Sequence, residues 1–144
     1  MNRVQQDVDA PPEDVWKVLA DGWLYPLWVV GATRMRQVDD EWPSPGSRLH
    51  HSVGVWPLVV DDDTEVVDSV EGRMLRLRAK AWPGGEADVQ IRVEDRGAGA
   101  SLTIEEDLVT GPARFVPQPI RALTLQVRNR ETLRRLAWLA ERRG

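Results

Sequence analysis

Hydrophobic and polar positions alternate with a period of two through most of this chain, then switch to steps of three and four in its last stretch. From Pro119 to Arg143, Ala122, Leu125, Leu133, Leu136 and Ala140 form an apolar stripe at helical spacing, with Asn129 filling its gap. The spacing predicts one long C-terminal helix with a single polar side chain on its buried face. A second stripe, Ile120, Leu123 and Val127, covers what should be a neighbouring face of the first half. Together the stripes predict a helix clasped broadly by a concave sheet.

The preceding chain supplies that sheet. Val4, Gln6 and Val8 alternate with polar neighbours and predict a first strand with Gln6 pointing inward. Pro11 and Pro12, followed by Glu13 and Asp14, suit the start of a helix, because proline fits its first position and acidic groups complement the exposed N–H groups of its first turn. Val15, Trp16, Leu19, Trp23, Leu24 and Leu27 then predict two short helical pieces broken at Gly22. A strand follows around Thr33 to Val38, and Glu41 to Gly46, with two prolines and a glycine, predicts a surface turn. Leu49, His51 and Val53 alternate with Arg48, His50 and Ser52, so the two histidines face opposite sides of a strand. An extended segment from Leu58 to Val70 is interrupted by Asp61, Asp62 and Asp63, which predict a solvated bulge or turn. The calcium-loop alternative lacks the turn glycine and the terminal glutamate. Leu75, Leu77, Ala79 and Ala81 against Arg76, Arg78 and Lys80, then Ala87, Val89, Ile91 and Val93 against Asp88, Gln90, Arg92 and Glu94, predict a basic strand face beside an acidic one. In the last strand Leu102, Ile104 and Leu108 alternate with Thr103, Glu105 and Asp107, which puts Glu106 on the inward side.

Composition narrows the function classes. A chain of 144 residues with net charge −4 suits one domain, 1–144, and argues against nucleic acid as the main partner. Eight arginines nevertheless crowd the segment from Arg114 to Arg143. They suit either an acidic membrane surface or partner, or simply the dipole and solvation of a helix C-terminus. The absence of cysteine removes disulfides, thiolate nucleophiles and cysteine-rich zinc sites. With no apolar run near the ~20 residues needed to span a bilayer, the expectation is a cytoplasmic protein without an integral membrane segment. A homodimer is left open.

The order of strand, helical pair, about six antiparallel strands and long helix is the helix-grip arrangement. Asp7 to Trp16, Pro45 to His51, Ile104-Glu105-Glu106 with Gly111-Pro112, and Arg128-Asn129 leading to Leu133 resemble the START-like superfamily. More narrowly, they resemble its bacterial polyketide cyclase/dehydrase and lipid-transport branch, the SRPBCC proteins. The resemblance runs over essentially the whole chain. It implies an α+β fold, a curved antiparallel sheet around the C-terminal helix with two short helices after the first strand, and an apolar cavity between sheet and helix. It implies no single chemistry, since the superfamily includes carriers, cyclases, hydrolases and chaperone activators. No Rieske-type ligand set or nucleotide-binding glycine motif is present, so no cofactor is expected.

Candidate site residues come from two signals. Seven tryptophans against one phenylalanine and one tyrosine point to rigid rings on pocket walls, and Trp23, Trp28 and Trp56 lie in segments near an expected entrance. His51, Glu106 and Asn129 are polar groups on faces that otherwise read as buried. Unpaired burial would cost on the order of 1–3 kcal/mol each, so they need partners, either structural ones or a ligand. A sharper version makes His51 and Glu106 an acid and base. Metal binding is not expected from two histidines on opposite faces. Three functions stay open: a binding module for a small hydrophobic molecule, a cyclase or dehydratase-like enzyme, and an interaction protein using the basic helix end or the Trp42-Pro43 turn.

Overall fold

The structure is a computed structural model, and it describes residues 2–29, 32–53, 60–81, 85–110 and 117–143. Strand β1 (Asn2–Val8) is followed by helix α1 (Pro12–Ala20), a 3-10 turn at Gly22–Leu24 and the short helix α2 (Tyr25–Trp28). Strands β2 (Ala32–Val38), β3 (Arg48–Val53), β4 (Val60–Val70), β5 (Met74–Ala81), β6 (Gly85–Asp95) and β7 (Ala100–Thr110) lead to helix α3 (Gln118–Arg143). The strands form one antiparallel seven-stranded sheet in the order β1-β7-β6-β5-β4-β3-β2. Among the described strands only the β1–β7 pairing joins elements that are not consecutive, and it brings Asn2 opposite Glu106 and Val4 opposite Ile104.

Alternation predicts the buried face well. Val4, Val8, Leu75, Leu77, Ile91, Val93, Leu102 and Ile104 are buried from the sheet, and Leu133, Leu136 and Ala140 meet them from α3. Helix α1 starts at Pro12, carries Glu13 and Asp14 in its first turn and buries Val15, Trp16, Val18 and Leu19. Helix α3 packs chiefly along β1 and α1, with α2 and β7 completing its seat. On the polar side of the sheet the Arg76 guanidinium donates to both Asp88 oxygens, at 3.1 and 2.6 Å, and its hydrogen bonds hold the Asp88 carboxyl below the usual carboxylate range. That pair realises the charge alternation of β5 against β6 and helps fix register.

Three expectations are corrected. Asp61, Asp62 and Asp63 do not interrupt the chain; they lie inside β4, paired in register with Ser52, His51 and His50. The charge of Asp63 is answered from β3: His50 Nδ1 lies 2.9 Å from Asp63 and Nε2 lies 3.2 Å from Asp39, while Arg48 approaches Asp63 at 3.7 Å and Glu65 at 3.5 Å. The turn around Trp42 is not wholly a surface feature, since the Trp42 ring is buried and its indole N–H donates to the Leu19 carbonyl at 3.1 Å. The turn residues around it are exposed, but the aromatic itself anchors to α1. Finally, Ile120, Leu123 and Val127 are not clasped by the sheet. At about 100° per residue they fall on the side of α3 roughly opposite Asn129, so a helix that buries Asn129 must expose them.

Candidate functional site

Four polar side chains meet the inner side of the fold where α2, β4, β7 and α3 converge. Glu106 follows Leu102 and Ile104 on the buried face of β7 and is only 3% exposed. The guanidinium of Arg128 donates to its carboxylate, so α3 supplies the counter-charge one residue before Asn129. The Arg128 side chain is 33% exposed, so this pair joins a dry end to a partly wet one. Tyr25 is buried on α2, with its hydroxyl 3.2 Å from that of buried Thr64 on β4. Burial, and secondarily the nearby Glu106 carboxylate, push the Tyr25 phenol up to about 12, against the lowering effects of the Thr64 hydrogen bond and Arg128. A phenol so placed stays neutral through the physiological range.

Among the described residues, two donors here find no acceptor. Trp28, 2% exposed, stands one turn after Tyr25, with the rings edge to face at a centroid distance of 5.2 Å. Its indole Nε1 has no hydrogen-bond partner. Asn129, also 2% exposed, sits on the buried face of α3, and its Nδ2 is likewise unpartnered. An apolar core does not strand amide and indole N–H groups without cost, at ~1–3 kcal/mol each. Among the described residues the arrangement holds two unpaired donors, while the Glu106 carboxylate is already engaged by Arg128. Chemically it suits the carbonyl or carboxylate oxygen of an otherwise apolar molecule.

The remaining candidates are placed differently. Trp23 is 57% exposed and its backbone N–H caps against Asp21 at 3.2 Å. The backbone of His51 in β3 pairs with Asp62 and Met35, four strands along the sheet from β7. Four interstrand steps of about 4.8 Å separate the two backbones by roughly 19 Å along the sheet, well beyond the reach of a direct acid–base pair between neighbouring strands. Trp56 lies outside the described residues. Gln6, expected to point inward from β1, donates to the Asp7 carbonyl at 3.0 Å. Sequence reasoning missed Tyr25, Thr64 and Arg128. Arg128 had a signal, its adjacency to a polar gap in an apolar stripe; Thr64 had none beyond its place two residues before buried Val66.

The sequence model of one protein family, described as polyketide cyclase / dehydrase and lipid transport, matches residues 2–141. No curated protein matches the chain. Among solved structures, protein MLL2253 from Mesorhizobium loti is 17% identical with a TM-score of 0.72, over 99% of this chain and 97% of that one. Ara h 8.0201 is 11% identical with a TM-score of 0.71, over 95% of both chains. The di-domain ARO/CYC StfQ from the steffimycin biosynthetic pathway is 12% identical with a TM-score of 0.73, over 98% of this chain and 50% of that one. At these identities the likeness shows the fold.

Proposed function

Because the chain belongs to the polyketide cyclase/dehydrase and lipid-transport family, we propose that it binds a small hydrophobic molecule between the inner face of the sheet and α3. One observation carries the reading: two buried donors, Trp28 Nε1 and Asn129 Nδ2, lack acceptors among the described residues. A ligand with an apolar body and a carbonyl or carboxylate oxygen would supply what the protein withholds. Arg128, tied to Glu106, and Tyr25, kept neutral, would border that oxygen and bias it toward an acceptor. Such a protein works as a cytoplasmic carrier or receptor.

A second reading, a cyclase or dehydratase-like enzyme, draws on the buried Tyr25 and Thr64 hydroxyls, 3.2 Å apart. There the same space would fold a reactive chain into shape, with Tyr25 as a proton donor. Native mass spectrometry of the purified protein tests the common premise. The expected result is a non-covalent apolar adduct, or uptake of a long-chain methyl ketone by the delipidated protein. A bare mass that takes up no such probe would remove both readings, and consumption of a bound polyketone without added cofactor would favour the enzyme.

A further inference from the structure

The outer face of α3 is apolar where a solvated helix would be polar. Ile120, Leu123 and Val127 are 58%, 61% and 61% exposed, and at helical spacing their line runs on through Arg130 and Arg134 to Trp138, itself 53% exposed. The Arg142 guanidinium lies 4.2 Å over the Trp138 ring. Helix α2, which packs on α3, exposes Leu27 as well. The helix carries seven arginines against two glutamates, a formal +5, in a chain of net charge −4, so the remainder holds −9. Both glutamates are already engaged, Glu131 with Arg135 at 3.1 Å and with the exposed Arg134 at 3.5 Å, and Glu141 with the Asp9 backbone N–H at 2.9 Å.

We infer that this face docks on an anionic lipid surface. Ile120, Leu123, Val127 and Trp138 would enter the boundary between headgroups and acyl chains, and the arginines would meet lipid phosphates. Aliphatic side chains, a tryptophan and arginines on one helix face are the combination an interface of that kind rewards. A second copy of the chain fits poorly. A twofold contact would oppose two helices of +5 each, and one line of side chains falls short of the ~800 Å² per partner of a stable dimer. The inference stands on exposure and charge, so it holds or fails independently of any ligand inside the fold.

Sedimentation of the full chain with phosphatidylcholine vesicles, with and without phosphatidylglycerol, tests it. Binding is expected to require phosphatidylglycerol and to weaken with salt. Arg130→Gln and Arg134→Gln should each reduce it by roughly fivefold. Leu123→Gln with Val127→Gln, which leaves charge unchanged, should reduce it by roughly tenfold or more. All these positions are exposed, so the melting temperatures should stay at wild type. No sedimentation, equal binding without the anionic lipid, or binding indifferent to the Leu123 and Val127 changes would overturn the inference. So would a dimer in light scattering that the double variant converts to monomer, which would show that the face joins two copies.

Discussion

Removing Arg128 should destabilise the protein more than neutralising Glu106, although the two form one ion pair. Glu106 is 3% exposed, whereas the Arg128 side chain is 33% exposed. In Arg128→Met the carboxylate is left charged in a dry site, the situation that costs about 3–5 kcal/mol. In Glu106→Gln the orphaned guanidinium can turn toward water, so the expected loss is about 1–3 kcal/mol. The double variant leaves no uncompensated charge and should lie within about 1–2 kcal/mol of wild type, giving a coupling of about 4–5 kcal/mol from the mid-range values. Urea unfolding with linear extrapolation measures each value, and a domain of this size should lose about 3 °C of melting temperature per kcal/mol. Reversal of the order of the two single variants, or additivity within about 0.5 kcal/mol, would refute the idea that this pair is electrostatically coupled across a wet and a dry end.

Tyr25→Phe should change how stability depends on alkaline pH. The phenol pKa is raised from 10.0 to about 12 in the fold, so its contribution is fully present below about pH 10 and is lost as pH climbs toward 12, a change of about 2–3 kcal/mol. Against wild type, the variant should be less stable by about 1 kcal/mol near pH 9, where only the Thr64 hydrogen bond is missing, and more stable near pH 12; parallel unfolding curves across that range would contradict this. Gly99→Ala should cost about 2 kcal/mol or more in urea unfolding, because a Cβ there falls on the Val8 carbonyl oxygen where β1 meets the turn before β7. A wild-type midpoint would show that β1 can move aside. Ending the chain before Gln118 uncovers the seat of α3 on β1 and α1 and should give an expanded product without cooperative unfolding by circular dichroism; a sharp melt would mean the sheet has another cover.

The strands were legible because a period of two survives in any strand with one dry face, and Glu106 and Asn129 stood out as polar exceptions on such faces. Both are buried where the pattern places them. What failed were judgements made from composition or apolarity alone. Three consecutive aspartates suggest a turn until their backbone is seen paired with β3 and Arg48 and His50 on that strand are known to face Asp63. A proline- and glycine-rich turn suggests surface until the Trp42 indole is seen bonded to Leu19, 23 residues away. An apolar triplet on a helix suggests burial, but a helix has only one face toward its sheet, and the Asn129 side of α3 took it. Tyr25 and Thr64 are 39 residues apart and meet only through the tertiary fold, a contact no local pattern encodes. The site is therefore legible in its carboxylate and its amide, and illegible in the partners that other elements bring to them.

The claim that the interior waits for an acceptor-bearing apolar ligand is tested most directly by a matched pair of probes. Calorimetric titration of the delipidated protein with a long-chain methyl ketone and with the alkane of equal length isolates the one oxygen. The ketone should bind more tightly by about 1–3 kcal/mol, and the advantage should vanish in Trp28→Phe combined with Asn129→Leu while the alkane still binds. Equal affinity of ketone and alkane for the wild-type protein would contradict the account.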